Sequence, residues 1–582
     1  MRPGSAPSDS RLAERKLQPE PAETPGNDAI ACSRHVLIGC ASPMHNSLID
    51  RRTLLKAATG AAGQLCVCGI PGKSYQRTLA RDDVVAEILA IPGHGAQPTE
   101  ADMERIGELC LRSTKCRSFA GQTVTFIGLN NAGYHNNIFR PLSRAWEEFT
   151  GATIQWIDVP EEEMFSRIQQ GVAAGEVEFD VMEGGAPWEG DILGHGMALA
   201  MPDWVKDRVD LQDYVRLLRA PVGTWNDVTF RVSIDGDCHS LNYRNDVFSN
   251  AELAEEWIAS GGEGDWSVPT TWRQVQAQTQ FLSGKQIDGN DIYGYLDVAK
   301  PAGGFSWYFF ASRASAYAKN PASPAWLFEP ETMTPYINNP AFVRALQDTI
   351  DAIGAEPADQ ISADYLTTLG QFLGGIGAMS AWWGDVGKSP QTHDTPVPRE
   401  KMSFSILPGS PEVYNNQRGE WESVSEHQLN FAPNEAFIGW GLYVMQMAEE
   451  RGVSEAAWDL AAHLGGKNLS MWTAVYPSGF QPYRDSHFDV RNWVEVGYPR
   501  EFAEVYVASQ LNSYNHPNGA VEPRIPAIFD YYIAAEDEVA LAVAGEKTAQ
   551  EALESAAARW NEITDRNGRD TQIALYQAAL GL

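Results

Sequence analysis

Apolar and polar positions between Gly121 and Met182 recur with two alternating periods, and together they predict a β-α-β-α-β unit. Apolar strands are predicted at 122–128, 153–158 and 179–182, and amphipathic helices at 138–150 and 160–174. Gly151 follows the first of these helices at the position of a left-handed cap. This succession predicts a mostly parallel sheet with right-handed crossovers, whose strand-end loops face one side together.

A second pattern lies between Gly370 and Gly387, where a helix end is followed by a glycine turn and a short apolar strand at 378–381. The strand delivers Trp382 and Trp383 to its C-terminal end, and Asp385 stands just beyond them. Ligands lie at that end of the strands in open α/β sheets. Two indoles beside a carboxylate suit a polyhydroxylated ring, whereas the alternative is that one or both tryptophans pack in the core.

Further elements are predicted on either side of these two patterns. Thr99 and Thr548 each precede an acidic residue by three positions, as helix N-caps do. The additional predictions are helices at 82–90, 100–113, 270–283, 340–354 and 454–465, strands at 402–409 and 437–444, and a largely helical end at 526–563. We assign residues 76–120 a packing role on the main body.

The first 75 residues are interpreted as lying outside the folded body. Residues 1–43 lack an apolar period and are expected to be disordered or wrongly included, with Met44 as an alternative start. Residues 44–75 contain Arg51-Arg52, two leucines, a lysine and a weakly hydrophobic run, the layout of a twin-arginine export signal. A periplasmic location is therefore expected, while the cleavage site and a lipid anchor stay open.

The charge and cysteine content of the chain exclude some classes of binding partner and metal site. The chain has 582 residues and a formal net charge of −32, which argues against nucleic acid and anionic lipid as partners. The seven cysteines show no zinc-binding spacing. Cys110 and Cys116 form either a small-loop disulfide or two free thiols.

Six phrases in the chain occur in one order that is similar to a known family. The chain resembles the family-1 extracellular solute-binding proteins of bacterial ABC importers, the sugar-binding type related to maltose-binding protein. The likeness covers about 121–565. The phrases are the strand at 122–128, Leu241-Asn-Tyr-Arg-Asn-Asp-Val-Phe248, Pro269-Thr-Thr-Trp272, Phe372-Leu-Gly-Gly-Ile-Gly-Ala-Met379, Leu407-Pro-Gly409, and Pro523-Arg-Ile-Pro526 with Glu551-Ala-Leu-Glu554. Two departures are Ile376, where the family has a lysine, and Asn242, where it has a tyrosine.

The resemblance implies an α/β fold of type II, with two lobes, mostly parallel sheets and hinge crossings near 234–240, 402–409 and 445–470. It implies lobe I at 121–235 and 404–455, and lobe II at 236–403 and 456–582 with the C-terminal helices. It also implies a monomer that has no cofactor or metal and catalyses no reaction. This monomer closes on a carbohydrate or polyol and then docks on a membrane permease.

Candidate ligand-binding residues are aromatic or charged and are drawn from both lobes and the crossings. His135 is alternatively a loop residue, Tyr243 a hinge-packing residue, and Arg524 a partner of a structural carboxylate. The candidates are Tyr134, His135, Glu183, Trp188, Tyr243, Trp307, Trp382, Trp383, Asp385, Trp440, Tyr483 and Arg524.

Two rival readings remain. The same fold could bind a polyamine, a glycerol phosphate or a metal chelate, and a phosphate ligand would need more basic residues than Arg524. Alternatively, paired carboxylates such as Glu183 and Asp385 could serve a polysaccharide hydrolase or lyase. The sequence contains no nucleophile elbow, His-Glu-x-x-His motif or P-loop, which disfavours the enzyme.

Overall fold

A computed structural model describes residues 81–91, 98–112, 114–115, 117–130, 135–175, 177–287, 289–388, 397–424 and 428–582. The predicted export signal and Met44 lie outside these residues. No helix in the described ranges is long and apolar enough to cross a membrane.

The secondary structure consists of twenty-one described α-helices and twelve described strands, with short 3₁₀ turns between them. The first part contains α1 Arg81–Leu89, α2 Glu100–Leu111, β1 Thr123–Leu129, α3 Asn136–Thr150, β2 Thr153–Val159, α4 Glu161–Ala174, β3 Val181–Gly185, α5 Glu189–Ile192, α6 Asp203–Val209, α7 Arg216–Arg219 and β4 Val232–Ser233. The middle part contains β5 His239–Arg244, α8 Asn245–Phe248, α9 Ala251–Ala259, α10 Trp272–Leu282, β6 Lys285–Ile287, β7 Asn290–Tyr295, α11 Trp307–Ala318, α12 Pro340–Ile353, α13 Tyr365–Leu373, β8 Gly377–Trp383 and β9 Met402–Ser405. The last part contains β10 Glu412–Asn415, β11 Glu420–Ser423, β12 Trp440–Val444, α14 Gln446–Glu450, α15 Ser454–Leu464, α16 Lys467–Val475, α17 Val490–Glu495, α18 Arg500–Tyr514, α19 Ile528–Val543, α20 Ala549–Arg566 and α21 Arg569–Leu580.

The first lobe is built on a five-stranded sheet in the order β2-β1-β3-β12-β4. Strands β1, β2 and β3 are parallel, which confirms the predicted β-α-β-α-β unit, although β3 begins later and runs on to Gly185. Gly151 takes a left-handed conformation and caps α3 as expected. Strand β12 joins antiparallel because it enters the sheet from the other lobe.

The second lobe contains a five-stranded sheet in the order β6-β7-β8-β5-β9. Here β7 and β8 are parallel, whereas β5 pairs antiparallel with both β8 and β9. The mostly parallel arrangement therefore holds only for part of each sheet. Trp382 and Trp383 end β8, as the sequence predicts.

The first of the three crossings between the lobes runs from β4 to β5, within the predicted 234–240. The second and third crossings lie later in the chain than predicted. Strand β9 pairs with β5, and Gly409 exchanges backbone hydrogen bonds with Thr270 and Trp272 beside α10, so 402–409 belongs to the second lobe. The chain returns to the first sheet only at β12. Helix α15 packs on α3 and α6 in the first lobe, so the third crossing follows α16 and lies near 476–489.

Helices α1 and α2 pack on α3 and α16 of the first lobe, so these two helices of the 76–120 stretch have a packing role. Thr99 and Asp102 form a reciprocal capping box at the start of α2, and Ile106 and Leu109 are buried. Gly107 faces the backbone of α3, where a methyl group would overlap the Leu142 carbonyl oxygen. The glycine is therefore required for this close helix–helix approach.

We expect Gly107→Ala to lower the free energy of unfolding by about 1–3 kcal/mol, because the added methyl forces α2 away from α3. Denaturant unfolding measures this change. Gly370→Ala is the matched control: Gly370 lies within helix α13, and a Cβ there would have no atom within 4 Å beyond its own helix neighbours. Alanine there should be neutral or stabilise by up to about 1 kcal/mol. Equal stability of the two variants would contradict the packing argument.

Candidate functional site

A cavity of about 470 Å³ lies between the two lobes, at the ends of their strands. The first lobe contributes the residue after β1, the residue before α3, the first residue of α4 and the first residue of β12. The second lobe contributes α13, the end of β8 and the turn after it, and the crossings form the floor. The lining residues are Asn130, His135, Glu161, Asp235, Asp237, Phe305, Tyr365, Leu366, Leu369, Trp382, Trp383, Asp385, Phe437, Trp440, Gly479 and Gln481.

The two tryptophans of β8 form one wall of the cavity. Trp383 is half-buried and its indole N–H donates to the Ala436 carbonyl over 2.9 Å. The ring also meets His239 edge-on, at a centroid distance of 4.4 Å. Trp382 is more deeply buried and packs on Phe309. These contacts hold the indoles in fixed orientations, so they can present rigid apolar surfaces to a ligand.

The opposite wall contains a buried histidine–carboxylate pair. Nδ1 of His135 makes a short hydrogen bond with Glu183, which also accepts from the Leu129 N–H over 2.9 Å. Burial lowers the pKa of His135, but the charge and hydrogen bond of Glu183 more than offset this, and the pKa ends above its ordinary value. Glu183 is fully buried and does not line the cavity. Its role in the structure is to hold His135 in place.

The floor of the cavity is organised by Gln481 from the third crossing. Its backbone N–H donates to Oδ1 of Asp235, and its side-chain Nε2 donates to Oδ1 of Asp237. Its Oε1 accepts from the Gly384 N–H over 2.6 Å. One residue thereby connects the first crossing, the third crossing and the turn after β8.

Burial makes the floor carboxylates hard to ionise. It raises the pKa of Asp235 to about 7, against the hydrogen bond from Gln481. Burial raises the pKa of Asp237 as well, and the negative charges of Asp235 and Asp385 add to that effect. Lys388 lies behind the floor, where burial lowers its pKa to about 7. Its ammonium donates to backbone carbonyls, including that of Ala474 over 3.0 Å.

Phe437 reaches the cavity through an unusual backbone path in the second crossing. Phe437 and Ile438 both have positive φ angles, of 67° and 31°. Non-glycine residues rarely adopt this region, and the cost is of order 1–3 kcal/mol each. The Phe437 ring lies over Gly185 at the end of β3, where any side chain would collide with it. The crossing thus directs an aromatic ring into the cavity instead of continuing as the predicted strand.

Five predicted site residues lie elsewhere. Trp307 stacks on Tyr532 at a centroid distance of 5.2 Å in the second lobe. Trp188 is buried behind Phe437 and Trp440. The other three pack against partners of their own: Tyr243 on Phe248, Tyr483 on Tyr214, and Arg524 in an ion pair with Glu189 at 2.7 Å. We therefore leave these five out of the candidate site. Tyr134 lies outside the described residues.

Four predicted residues besides His135 do line the cavity: Trp382, Trp383, Asp385 and Trp440. Sequence reasoning missed Asp235 and Asp237, although it located the crossing that carries them. Their position in the predicted crossing was the signal that could have identified them, because a crossing between lobes must pass the floor of the cleft. It also missed Tyr365 and Leu366 on α13, whose helix precedes the tryptophan strand.

The predicted catalytic carboxylate pair and a metal site gain no support from the geometry. Glu183 lies behind His135, so it cannot face a substrate together with Asp385 in the cavity. No group of three or more histidine, cysteine or acidic side chains is placed to hold a metal ion in the described part of the chain. Cys238 is a buried free thiol, and Cys116, the predicted partner of Cys110, lies outside the described residues.

Ile376, the first departure from the family pattern, lies on the opposite side of the second lobe. It precedes β8, at the end away from Trp383, and lines a separate surface pocket with Arg244. The absence of a lysine at this position therefore does not alter the cavity between the lobes.

No protein-family model and no curated protein matches this chain. Solved structures of similar fold are ABC transporter solute-binding proteins. One from Agrobacterium radiobacter, in complex with ribitol, is 17% identical, with a TM-score of 0.59 over 77% of this chain and 100% of that one. One from Agrobacterium vitis with bound D-mannitol is 17% identical, with a TM-score of 0.57 over 77% and 99%. The maltose-bound T. maritima MalE3 is 16% identical, with a TM-score of 0.58 over 76% and 100%. The chain therefore has the two-lobed fold of these proteins.

The pH dependence of stability tests the buried acids of the crossings. Glu435 is buried next to the second crossing, and burial raises its pKa to about 8. A glutamate in the unfolded chain has a pKa of about 4.3. Between these two values the native state holds a proton that the unfolded state lacks, so stability falls as the pH rises from about 4.3, and the loss is complete above about 8.

We expect the free energy of unfolding to fall between pH 6 and pH 9 more steeply in the wild type than in Glu435→Gln, by on the order of 1–3 kcal/mol. Chemical unfolding at a series of pH values measures the two slopes. Glu495→Gln, which removes an exposed carboxyl, should keep the wild-type slope. Parallel slopes for the wild type and Glu435→Gln would show that Glu435 does not titrate in this range.

Proposed function

We propose that the protein is the exported substrate-binding component of an ABC importer, and that it captures a carbohydrate or polyol between its lobes for delivery to a membrane permease. The observation that carries the proposal is the cavity itself. It lies at the strand ends, between the lobes of a solute-binding fold, and is lined by indole rings together with carboxylates. This combination provides stacking surfaces and hydrogen-bond acceptors for a ligand with many hydroxyl groups.

The ligands of the structurally similar proteins support this ligand class. The Agrobacterium proteins hold the polyols ribitol and D-mannitol, and the T. maritima protein holds maltose. A cavity of about 470 Å³ is within the range of small-molecule sites. At this level of identity the fold is shared, so the ligand of this chain is inferred from its own lining residues.

The lining residues can supply a useful affinity. An aromatic contact contributes about 0.5–1.5 kcal/mol beyond area burial, and a hydrogen bond to a charged group about 1.5–3 kcal/mol. Two stacked indoles and two such bonds, added to area burial and reduced by ordering costs, are compatible with micromolar binding, about −8 kcal/mol. Binding alone accounts for the site, and no reaction is assigned to it.

A ligand in this position would favour closure because it touches both lobes. His135 and Trp440 come from the first lobe, and Trp383 and Asp385 from the second. A ligand shifts the population toward a closed form only if it binds that form better than the open one. Contacts from both sides provide this difference, and hinge bending at the crossings provides the motion. The closed form is then the one that docks on the permease.

The proposal is tested by thermal-shift screening against pentitols, hexitols, monosaccharides and maltodextrins, followed by calorimetry of each hit. A ligand that binds only the folded state raises the melting temperature, by an amount equivalent to about 2.7 kcal/mol at a hundred times its Kd. We expect at least one member of the panel to raise it. The proposal fails if none does at millimolar concentration while the protein is folded.

A leucine at the edge of the cavity separates ligand binding from folding. Leu366 on α13 lines the cavity but is 64% exposed, so its truncation should leave the ligand-free stability within about 0.5 kcal/mol. We expect Leu366→Ala to weaken the binding of a panel ligand several-fold, because closure buries this side chain against the ligand. Truncating Trp383 is less informative, since its packing would also be lost.

The matched control is Ile258→Ala on α9, where the side chain is 67% exposed and does not line the cavity. It removes a similar apolar surface far from the ligand and should leave binding unchanged. Calorimetric titration of the two variants with the same ligand measures the difference. Equal affinities would place Leu366 outside the site.

A further inference from the structure

The charge of the cavity is the feature that the proposed function leaves unexplained. Four lining residues are acidic: Glu161, Asp235, Asp237 and Asp385. Among the described residues that line the cavity there is no lysine and no arginine. A ligand with hydroxyl groups alone would need acceptors, but it would not need this concentration of acidic groups.

The nearby cations are already engaged. His135 is paired with Glu183 behind it, so this pair adds little net charge to the cavity. Lys388 lies beneath the floor and donates to the carbonyls of Ala474 and Phe480. It does not line the cavity, and it can balance at most one of the four acids. The lining therefore has an excess of acidic side chains over basic ones, and a bound cation would favour their ionised form.

Asp235 and Asp237 on the floor are held in position by hydrogen bonds that use only one oxygen of each carboxyl group. The hydrogen bonds to Asp235 and Asp237 within the described structure go to Oδ1, from Gly236 at 2.8 Å and from Gln481. A carboxylate has two oxygens and about four acceptor sites. A donor in the cavity can therefore bond to these side chains without displacing Gln481.

Aromatic rings surround the same space. Trp382, Trp383 and Trp440 line it together with Phe305 and Phe437. The face of an indole attracts an ammonium or guanidinium group within about 6 Å of its centre, and more strongly where water is excluded. Carboxylates and aromatic faces together therefore provide two kinds of attraction for a cation, whereas a neutral hydroxyl group gains only the hydrogen bonds.

We propose that the ligand is a polyhydroxylated compound that carries a protonated amine, such as an amino sugar or an aminocyclitol. This inference rests on the proposed function and narrows its ligand class. The hydroxyl groups of the ligand bond to polar lining residues, and its ammonium group lies among the floor carboxylates and indole faces. A cation there also lowers the cost of ionising these buried acids, which a neutral sugar does not do.

The test uses ligand series in which the hydroxyl group at C2 is replaced by a charged amine or by a neutral acetamide. D-glucose, D-galactose and D-mannose are each titrated beside their 2-amino and 2-acetamido derivatives, at pH 7 and low salt, by calorimetry. Putrescine is included as an amine without hydroxyl groups. We expect an amino sugar to bind at least tenfold more tightly than its neutral counterparts, a difference of 1.4 kcal/mol. The difference should shrink at high salt, because screening weakens charge interactions.

Variants of the acidic lining residues show which carboxyl groups cause the preference for an amine. Asp237→Asn keeps the shape and an acceptor for Gln481 but removes a carboxyl group that can ionise beside a bound ammonium, and it should reduce the preference for the amine at least fivefold. Glu161→Gln is the second variant, because Glu161 is only partly buried at the start of α4 and its replacement is less disruptive to the fold. Glu504→Gln is the matched control. It removes a charge on α18 from a side chain that is 53% exposed, and should leave the preference intact.

The outcomes separate the two proposals. If a neutral sugar or polyol binds as tightly as its amine counterpart, the amine inference is overturned and the proposed function stands. The amine inference is also overturned if no amino sugar in the series binds. If putrescine binds and no hydroxylated compound does, the ligand is a simple amine and both proposals fail. The inference is also contradicted if the preference for the amine survives in both Asp237→Asn and Glu161→Gln, since the preference would then not arise from these carboxylates.

Discussion

The hydrogen bonding of Gln481 is the constraint on which the cleft depends. Its backbone N–H donates to Asp235, its side chain donates to Asp237, and its side-chain oxygen accepts from the Gly384 N–H over 2.6 Å, so three passages of the chain meet at one residue. The lobe crossings bring backbone and carboxylate groups into a buried region, where an unpaired polar group costs about 1–3 kcal/mol. A side chain with both a donor and an acceptor satisfies partners of both kinds. Gly384 matches it, because a Cβ there would lie 2.6 Å from the Gln481 oxygen.

The aromatic wall depends on this floor. Phe437 enters the cavity from a crossing with positive φ angles, and such a conformation persists only where the surroundings hold it. The ring is held by Gly185 below and by Trp440, whose centroid is 4.6 Å away. On the other side, the indole N–H of Trp383 bonds to Ala436, the residue before Phe437. The second crossing therefore links the aromatic groups of both lobes.

Local patterns were sufficient to predict much of the fold. The parallel β1-β2-β3 unit follows from periodicity, and the capping boxes at Thr99 and Thr548 follow from short-range spacing. The second crossing could not be placed in this way. Leu407-Pro-Gly409 looks like the end of a passage, but Gly409 bonds to Thr270, and that partner is distant in sequence. Such pairing depends on tertiary contacts that no local pattern records.

The site was only partly predictable for the same reason. Trp307 and Trp383 each lie at the end of an element, and both look like binding residues in the sequence. Trp307 is covered by Tyr532 from α19, whereas Trp383 has a partly open face at the cleft. Which indole is covered depends on a helix more than two hundred positions away, since Tyr532 lies in the C-terminal segment. Aromatic residue type therefore indicated the kind of site, and long-range packing selected its members.

The acidity of the chain and of the cavity lining restricts the ligands that the fold can bind. The chain has a net charge of −32, and the described lining of the cavity contributes acids without lysine or arginine, so the potential repels anions. This disfavours a glycerol phosphate or an anionic metal chelate. Closure would also remove water from the floor carboxylates, which is costly unless a donor replaces it. A ligand with hydroxyl groups can supply that donor, and an ammonium group supplies it together with the opposite charge. The acidity of the floor thus selects among the ligands that the fold and the aromatic wall would accept.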